Sequence, residues 1–141
     1  VSVGWDDRIR WASKADRVYV ADQELNGQPC TLVKSNVSDL LLVVTNQEIS
    51  LYRGFEKVSA LPVSSLRYSP TCGAIVNDEE IAIGGSDNKT HIFSIVGGSF
   101  NEVTTIETRS AVSALAYNPT GDLLAIGDVG RQIEVYERGT W

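Results

Sequence analysis

The chain holds a single imidazole, His91, and two thiols, Cys30 and Cys72, so any nucleophilic or metal-assisted chemistry would have to be built from very few groups. A Ser or Cys hydrolase needs a base beside its nucleophile. Period-two alternation instead puts His91 on a half-exposed sheet face, two residues from Phe93. Each thiol sits in a short apolar stretch, "PCTLV" or "TCGAIV", and reads as a buried small hydrophobe. Two cysteines make no disulfide framework of the small secreted kind. The carboxylate run Asp78-Glu79-Glu80 has no His or Cys at metal-ligand spacing and reads as a solvated turn. "GDVGRQ", from Gly127, contains glycines but lies between two strand-like segments, so it lacks the helix start whose amides cradle phosphate. These residues predict no enzyme, no metal and no cofactor.

One stretch could serve a nucleic acid or a phospholipid. Arg8, Arg10, Lys14 and Arg17 lie near the start with Trp5, Trp11 and Tyr19 interleaved, the pattern of a basic groove with stacking platforms. Asp6, Asp7, Asp16 and Asp22 neutralise it, and the whole chain carries 18 acidic against 12 basic residues for a net charge of −6. Nucleic acid and membrane are therefore poor partners. Hydrophobic residues make up 43%, a globular proportion, and the longest apolar run, Leu40 to Val44, is far too short to span a bilayer. The expectation is a soluble protein of one domain's length. No charged-then-apolar leader precedes a cleavage site, and the sequence begins at Val1 as though inside a strand, which suggests a piece of a longer protein. The glycosylation triplets Asn36-Val37-Ser38 and Asn88-Lys89-Thr90 fall in expected turns, and a three-residue pattern is common by chance.

The elements that position these residues repeat. "IRW" at Ile9, "ISLY" at Ile49, "THIF" at Thr90 and "IEVY" at Ile133 recur every 40 to 43 residues. Each is preceded by an apolar strand ending in small residues: "VSVGW", "LLLVVT", "IAIGG" and "LLAIGD". A further strand and a polar turn come before that ("CTLVKSNVSD", "CGAIVNDEE", "VSALAYNPTGD"), and "RVYVAD", "EKVSAL" and "EVTTIET" alternate as fourth strands. No segment shows helical spacing with caps. Four short strands per unit of just over forty residues predict an all-β chain of about three propeller blades, with units at 1–27 (the end of one blade), 28–60, 61–107 and 108–141. Three blades cannot close a ring, so the remaining blades of the parent propeller are expected partners.

"VSALAYNPTGDLLAIGDVGRQIEVYE" and "IAIGGSDNKTHIFSI" resemble WD-repeat blades, in which an Asp turn precedes a strand ending in an aromatic. That structural turn position is matched by Asp6 and Asp87, whose carboxylates can accept turn amides. Asn46 occupies it in one unit and Gly130 in the last, where Gly can supply a left-handed backbone. The family's Gly-His pair is missing, which predicts blades held by apolar packing without a buried hydrogen-bond network. The succession "VSVGWDDRIRW", "ISLYRG", "AIGGSDNKTHIFSI" and "AVSALAYNPTGDLLAIGD" is similar to the second propeller of the actin-interacting WD-repeat family, the cofactor of cofilin. The resemblance covers nearly the whole chain. It implies a cytoplasmic, cytoskeleton-associated protein-interaction scaffold whose parent binds cofilin-decorated actin filaments, promotes their disassembly and limits regrowth; actin and cofilin are the implied partners, and no small-molecule cofactor is implied. No binding residue carries over from the resemblance, because the family's actin contacts concentrate on its first propeller.

Binding residues on propellers concentrate on loops, and Asp7, Arg8, Asn88 and Lys89 hold equivalent turn positions as candidate protein contacts. Another WD scaffold, such as a ubiquitin-ligase substrate receptor or a trafficking coat subunit, would share all these blade features. A propeller enzyme would need a polar central channel, but the expected first-strand row of Thr31, Ala74 and Ser113 is small and nearly apolar.

Overall fold

The computed structural model describes all residues, Val1–Trp141. Fourteen strands form four sheets in chain order. The first sheet contains β1 (Ser2–Val3), β2 (Arg8–Ala12) and β3 (Tyr19–Glu24). The second contains β4 (Pro29–Lys34), β5 (Leu40–Thr45), β6 (Glu48–Arg53) and β7 (Glu56–Pro62), followed by one 3₁₀ turn, Val63–Ser65. The third contains β8 (Pro70–Asn77), β9 (Glu80–Gly85), β10 (Lys89–Val96) and β11 (Ser99–Glu107); the fourth contains β12 (Val112–Tyr117), β13 (Leu123–Asp128) and β14 (Ile133–Glu137). Within each sheet, strands adjacent in sequence pair antiparallel. No helix is long and apolar enough to cross a membrane.

Alternation explains the packing. Leu40, Leu42 and Val44 on β5 meet Ile75, Ile81, Ile83 and Phe93 of the third sheet, while Leu41 and Val43 meet Ile9 and Trp11 of the first. The run "LLLVVT" is wholly buried because both of its faces are covered. Ala82 and Ile92 turn the other way and pack on Val112, Leu124 and Ile126 of the fourth sheet. Three apolar layers thus alternate with four sheets, and each buried Leu or Ile contributes about 1.5–3 kcal/mol. Gly84 is required where the third and fourth sheets approach, since a Cβ there would lie 2.5 Å from Cys72 Sγ and 2.7 Å from Val112 Cγ1.

Two kinds of bulge recur. Between the last two strands of each of the first three sheets the register shifts by one, and the skipped residue is Val20, Val58 or Val103. All three valines are exposed. Between the first and second strands the skipped residue is Cys30, Thr71 or Ser113. A bulge rotates its residue out of the alternation, so Cys30 is exposed rather than buried as expected, and only Cys72 is a buried thiol. The same shift breaks up the expected channel row: Thr31 is half-buried, Ala74 is buried and Ser113 is exposed.

Candidate functional site

The turns between second and third strands lie against the connections that lead into each first strand, and the two are hydrogen-bonded, reciprocally in the second and third sheets and from turn to connection in the fourth. Asn46 N donates to Gln28 O (3.0 Å) and Gln28 N to Asn46 Oδ1 (2.9 Å). Ser86 N donates to Ser69 O (3.0 Å) and Ser69 N to Ser86 Oγ (3.0 Å). Val129 N donates to Ala111 O (3.0 Å), with Gly130 N on Ser110 Oγ (2.9 Å). The last turn residue also anchors the chain beyond the outer strand, since Asp7 O, Gln47 O and Asn88 O accept from Leu25, Val63 and Thr108 amides. Loop residues are thereby held on a rigid face, as contact surfaces require.

Within this face the third sheet carries a charged cluster. His91 is only 5% exposed, where a half-exposed strand histidine was expected. Its Nε2 lies 3.0 Å from Asp87 Oδ2, its Nδ1 meets Glu102 Oε1, and its ring stacks on Tyr68 with centroids 3.8 Å apart and planes 8° apart. Burial, then the carboxylates of Glu102 and Asp87, push the Tyr68 phenol well up, and its buried hydroxyl has no partner. A cleft of about 480 Å³ opens beside the cluster, lined by Tyr68, Lys89, Phe93, Phe100 and Glu102. The expectation that apolar packing alone holds the blades is corrected here: the Gly-His pair is missing, yet a strand histidine and a connection tyrosine build a polar cluster of their own.

The structural turn residues are placed as follows. Asp87 turns its carboxylate onto His91, whereas acceptance of turn amides was expected. Asp6 grips Arg10 at 2.5 Å; this bond, aided by the amides of Asp6 and Arg8, holds its carboxyl below the usual range. Gly130 does not adopt the left-handed backbone; Arg131 does, with φ +68°, as do Asp7 at +57° and Asn88 at +63°. The carboxylate that receives a turn amide in the fourth sheet is Asp128, from Gln132 N at 3.1 Å. The second sheet's turn is one residue shorter, so Asn46 aligns with Ser86 and no residue aligns with Asp87.

Of the four contact candidates, Asn88 is exposed and Asp7 and Lys89 half-buried, all at or beside the left-handed turn position. Arg8 is engaged within its sheet, with Nε 3.1 Å from Asp22 Oδ1. Trp5, 91% exposed, stands in the same kind of turn. The basic stretch is neutralised in part as charge counting suggests, since Arg8 and Arg10 pair with Asp22 and Asp6.

The acidic run is solvated only in part: Glu79 is exposed in its turn, while its two neighbours are engaged. Asp78 accepts from Ser38 and from Arg53 (3.3 Å) of the second sheet, and Glu80 accepts from Tyr117 (3.1 Å) and Arg138 (2.8 Å) at the fourth. Burial, then Glu80, push the Tyr117 phenol up. These bridges join residues 25 to 58 positions apart, so no local pattern announces them.

No protein-family model matches the chain. Along nearly its whole length it is similar to actin-interacting protein 1 of Caenorhabditis elegans, 29% identical over 96% of this chain and 22% of that protein. It is 31% identical to the 66 kDa stress protein of Physarum polycephalum, over 99% of this chain and 23% of that one. Against actin-interacting protein 1-2 of Arabidopsis thaliana it is 32% identical, over 98% and 23%. The chain therefore spans under a quarter of the length of the curated relatives it matches. In fold it matches a propeller chain from the crystal structure of the mitotic checkpoint complex, with a TM-score of 0.79 at 14% identity, over 95% of this chain and 44% of that one. Repeats, sheets and relatives together identify the chain as part of a β-propeller with WD-type blades, similar along its length to actin-interacting protein 1.

Proposed function

We propose that this chain is part of a cytoplasmic, cytoskeleton-associated scaffold that binds actin filaments decorated by cofilin and promotes their disassembly. The observation that carries this reading is the similarity to actin-interacting proteins over at least 96% of the chain in two distant organisms. The turn face supports it physically, because hydrogen bonds fix loop residues without any catalytic constellation among them. Asp7, Asn88 and Lys89 are the proposed contacts, while Arg8 serves its own sheet.

The test follows filament length by fluorescence microscopy with the full-length protein, with and without cofilin. Faster severing only when cofilin is present is expected, and the Asn88→Ala/Lys89→Ala variant should weaken it by about tenfold, the loss of roughly one contact's worth of affinity. Unchanged severing at saturating protein with cofilin present would remove the actin assignment.

A further inference from the structure

The first and third sheets carry the same device with different cations. In the first, Arg10 sits four residues after the turn carboxylate Asp6, pairs with it, and also reaches Asp22 on the outer strand (Nε–Oδ2 3.6 Å). In the third, His91 sits four residues after Asp87, pairs with it, and also reaches Glu102 on the outer strand. Asp6 and Asp87 are equivalent, each preceding the left-handed residue of its turn. The position is therefore built for a cation bridging turn to outer strand, permanently charged in one sheet and titratable in the other.

We propose that His91 is a proton-dependent clamp that sets the turn at 86–89, and so regulates the contact surface that this turn presents. Both ring nitrogens face carboxylates. A neutral imidazole has one N–H, so it can serve only one of them and turns a lone pair on the other; the imidazolium donates to both. The remaining groups around the ring do not compensate. Tyr68 from the connection covers one face of the ring and is uncharged, β9 contributes Ile83, β11 adds Thr105 beside Glu102, and Arg67 and Lys89 line the cleft without bonding the ring. Losing the proton thus releases either Asp87, freeing the turn that carries Asn88 and Lys89, or Glu102, freeing the outer strand. The sign follows from linkage. Wherever the ring carries its second proton both carboxylates are held, and wherever it does not one of the two bonds is lost, so the contribution of the clamp falls as pH rises.

The clamp is tested on the full-length protein without any partner. Its regulatory consequence rests on the proposed contact surface, but these measurements do not, so a failed filament assay leaves them standing. Melting temperatures of the native protein, His91→Gln and His91→Arg are compared at about pH 5.5 and about pH 8, on either side of ordinary imidazole titration. The native protein should exceed H91Q by about 3 °C at the acid end and converge with it at the alkaline end. H91R, which carries the first sheet's permanent charge, should keep its margin at both. Hydrogen-exchange protection of the 86–89 amides should fall on the order of tenfold in the native protein over the same interval and stay level in H91R. If H91R misfolds, Glu102→Gln serves instead: its amide can donate to a neutral ring, so the pH dependence should flatten. A native margin over H91Q that is the same at both pH values, or an H91R or E102Q protein that tracks the native pH dependence, overturns the proposal.

Discussion

The turn after β9 and the turn after β13 occupy equivalent places in adjacent sheets, yet are fastened by different chemistry. In the third sheet side-chain charges hold the turn: Asp87 to His91, with Glu102 beyond. In the fourth the side chains bond backbone amides, Ser110 Oγ accepting from Gly130 N and Asp128 Oδ1 from Gln132 N, while Glu134 at the position of His91 turns instead to Tyr136. The backbone nevertheless matches, with a left-handed residue next in each, Asn88 at +63° and Arg131 at +68°. The difference teaches that the backbone shape of the turn comes from its hydrogen bonds to the incoming connection, while the side chains at and around the Asp position govern how tightly that shape is held.

The largest break in that comparison attacks the sheet beneath the charged turn. Gly84→Ala would drive a methyl into Cys72 and Val112 and should cost about 3 kcal/mol by overpacking, read from chemical denaturation of the full-length protein. His91→Ala leaves the Asp87 and Glu102 carboxylates without the ring that bonds them and bares Tyr68; about 2 kcal/mol is expected. At the fourth sheet's turn Ser110→Ala should cost only about 0.5–1 kcal/mol, one hydrogen bond to an exposed amide. Gly130→Ala meets Ser110 Oγ at 2.7 Å and Asp128 Oδ1 at 3.2 Å, and the Ser110 share of its penalty should vanish in the double variant with Ser110→Ala, an interaction that a double-mutant cycle measures. The smallest effects sharpen the backbone side. Arg131→Gly should stabilise by about 0.5 kcal/mol by relieving its positive φ, and Asn88→Gly by less, because Asn tolerates that conformation.

The strands were legible in the sequence because each is a short alternating segment bounded by turn residues, and the 40-to-43-residue recurrence placed the sheets in order. The wholly buried β5 was visible too, as an apolar run too short for a helix. The His91 cluster was not. Simple alternation from Thr105, the partner of His91, puts Val103 on the histidine's face and Glu102 on the opposite one. The bulge at Val103 reverses this and pairs Glu102 with Phe93. Tyr68 is invisible for another reason, since it lies in a connection with no periodicity and reaches the ring only through the fold. Gly130 misled because a glycine in a turn suggests a positive φ, whereas the residue after it carries the strain.

The three skipped valines have an evolutionary consequence. Moving the bulge past Glu102, toward the turn into β11, would carry Glu102 to the side of the neighbouring fourth sheet without changing any amino acid's identity. Where Val20, Val58 and Val103 fall thus decides which neighbour an outer-strand side chain serves. A duplicated blade could acquire or lose an ionic bridge through a single-residue insertion or deletion, a shorter mutational path than two matched substitutions.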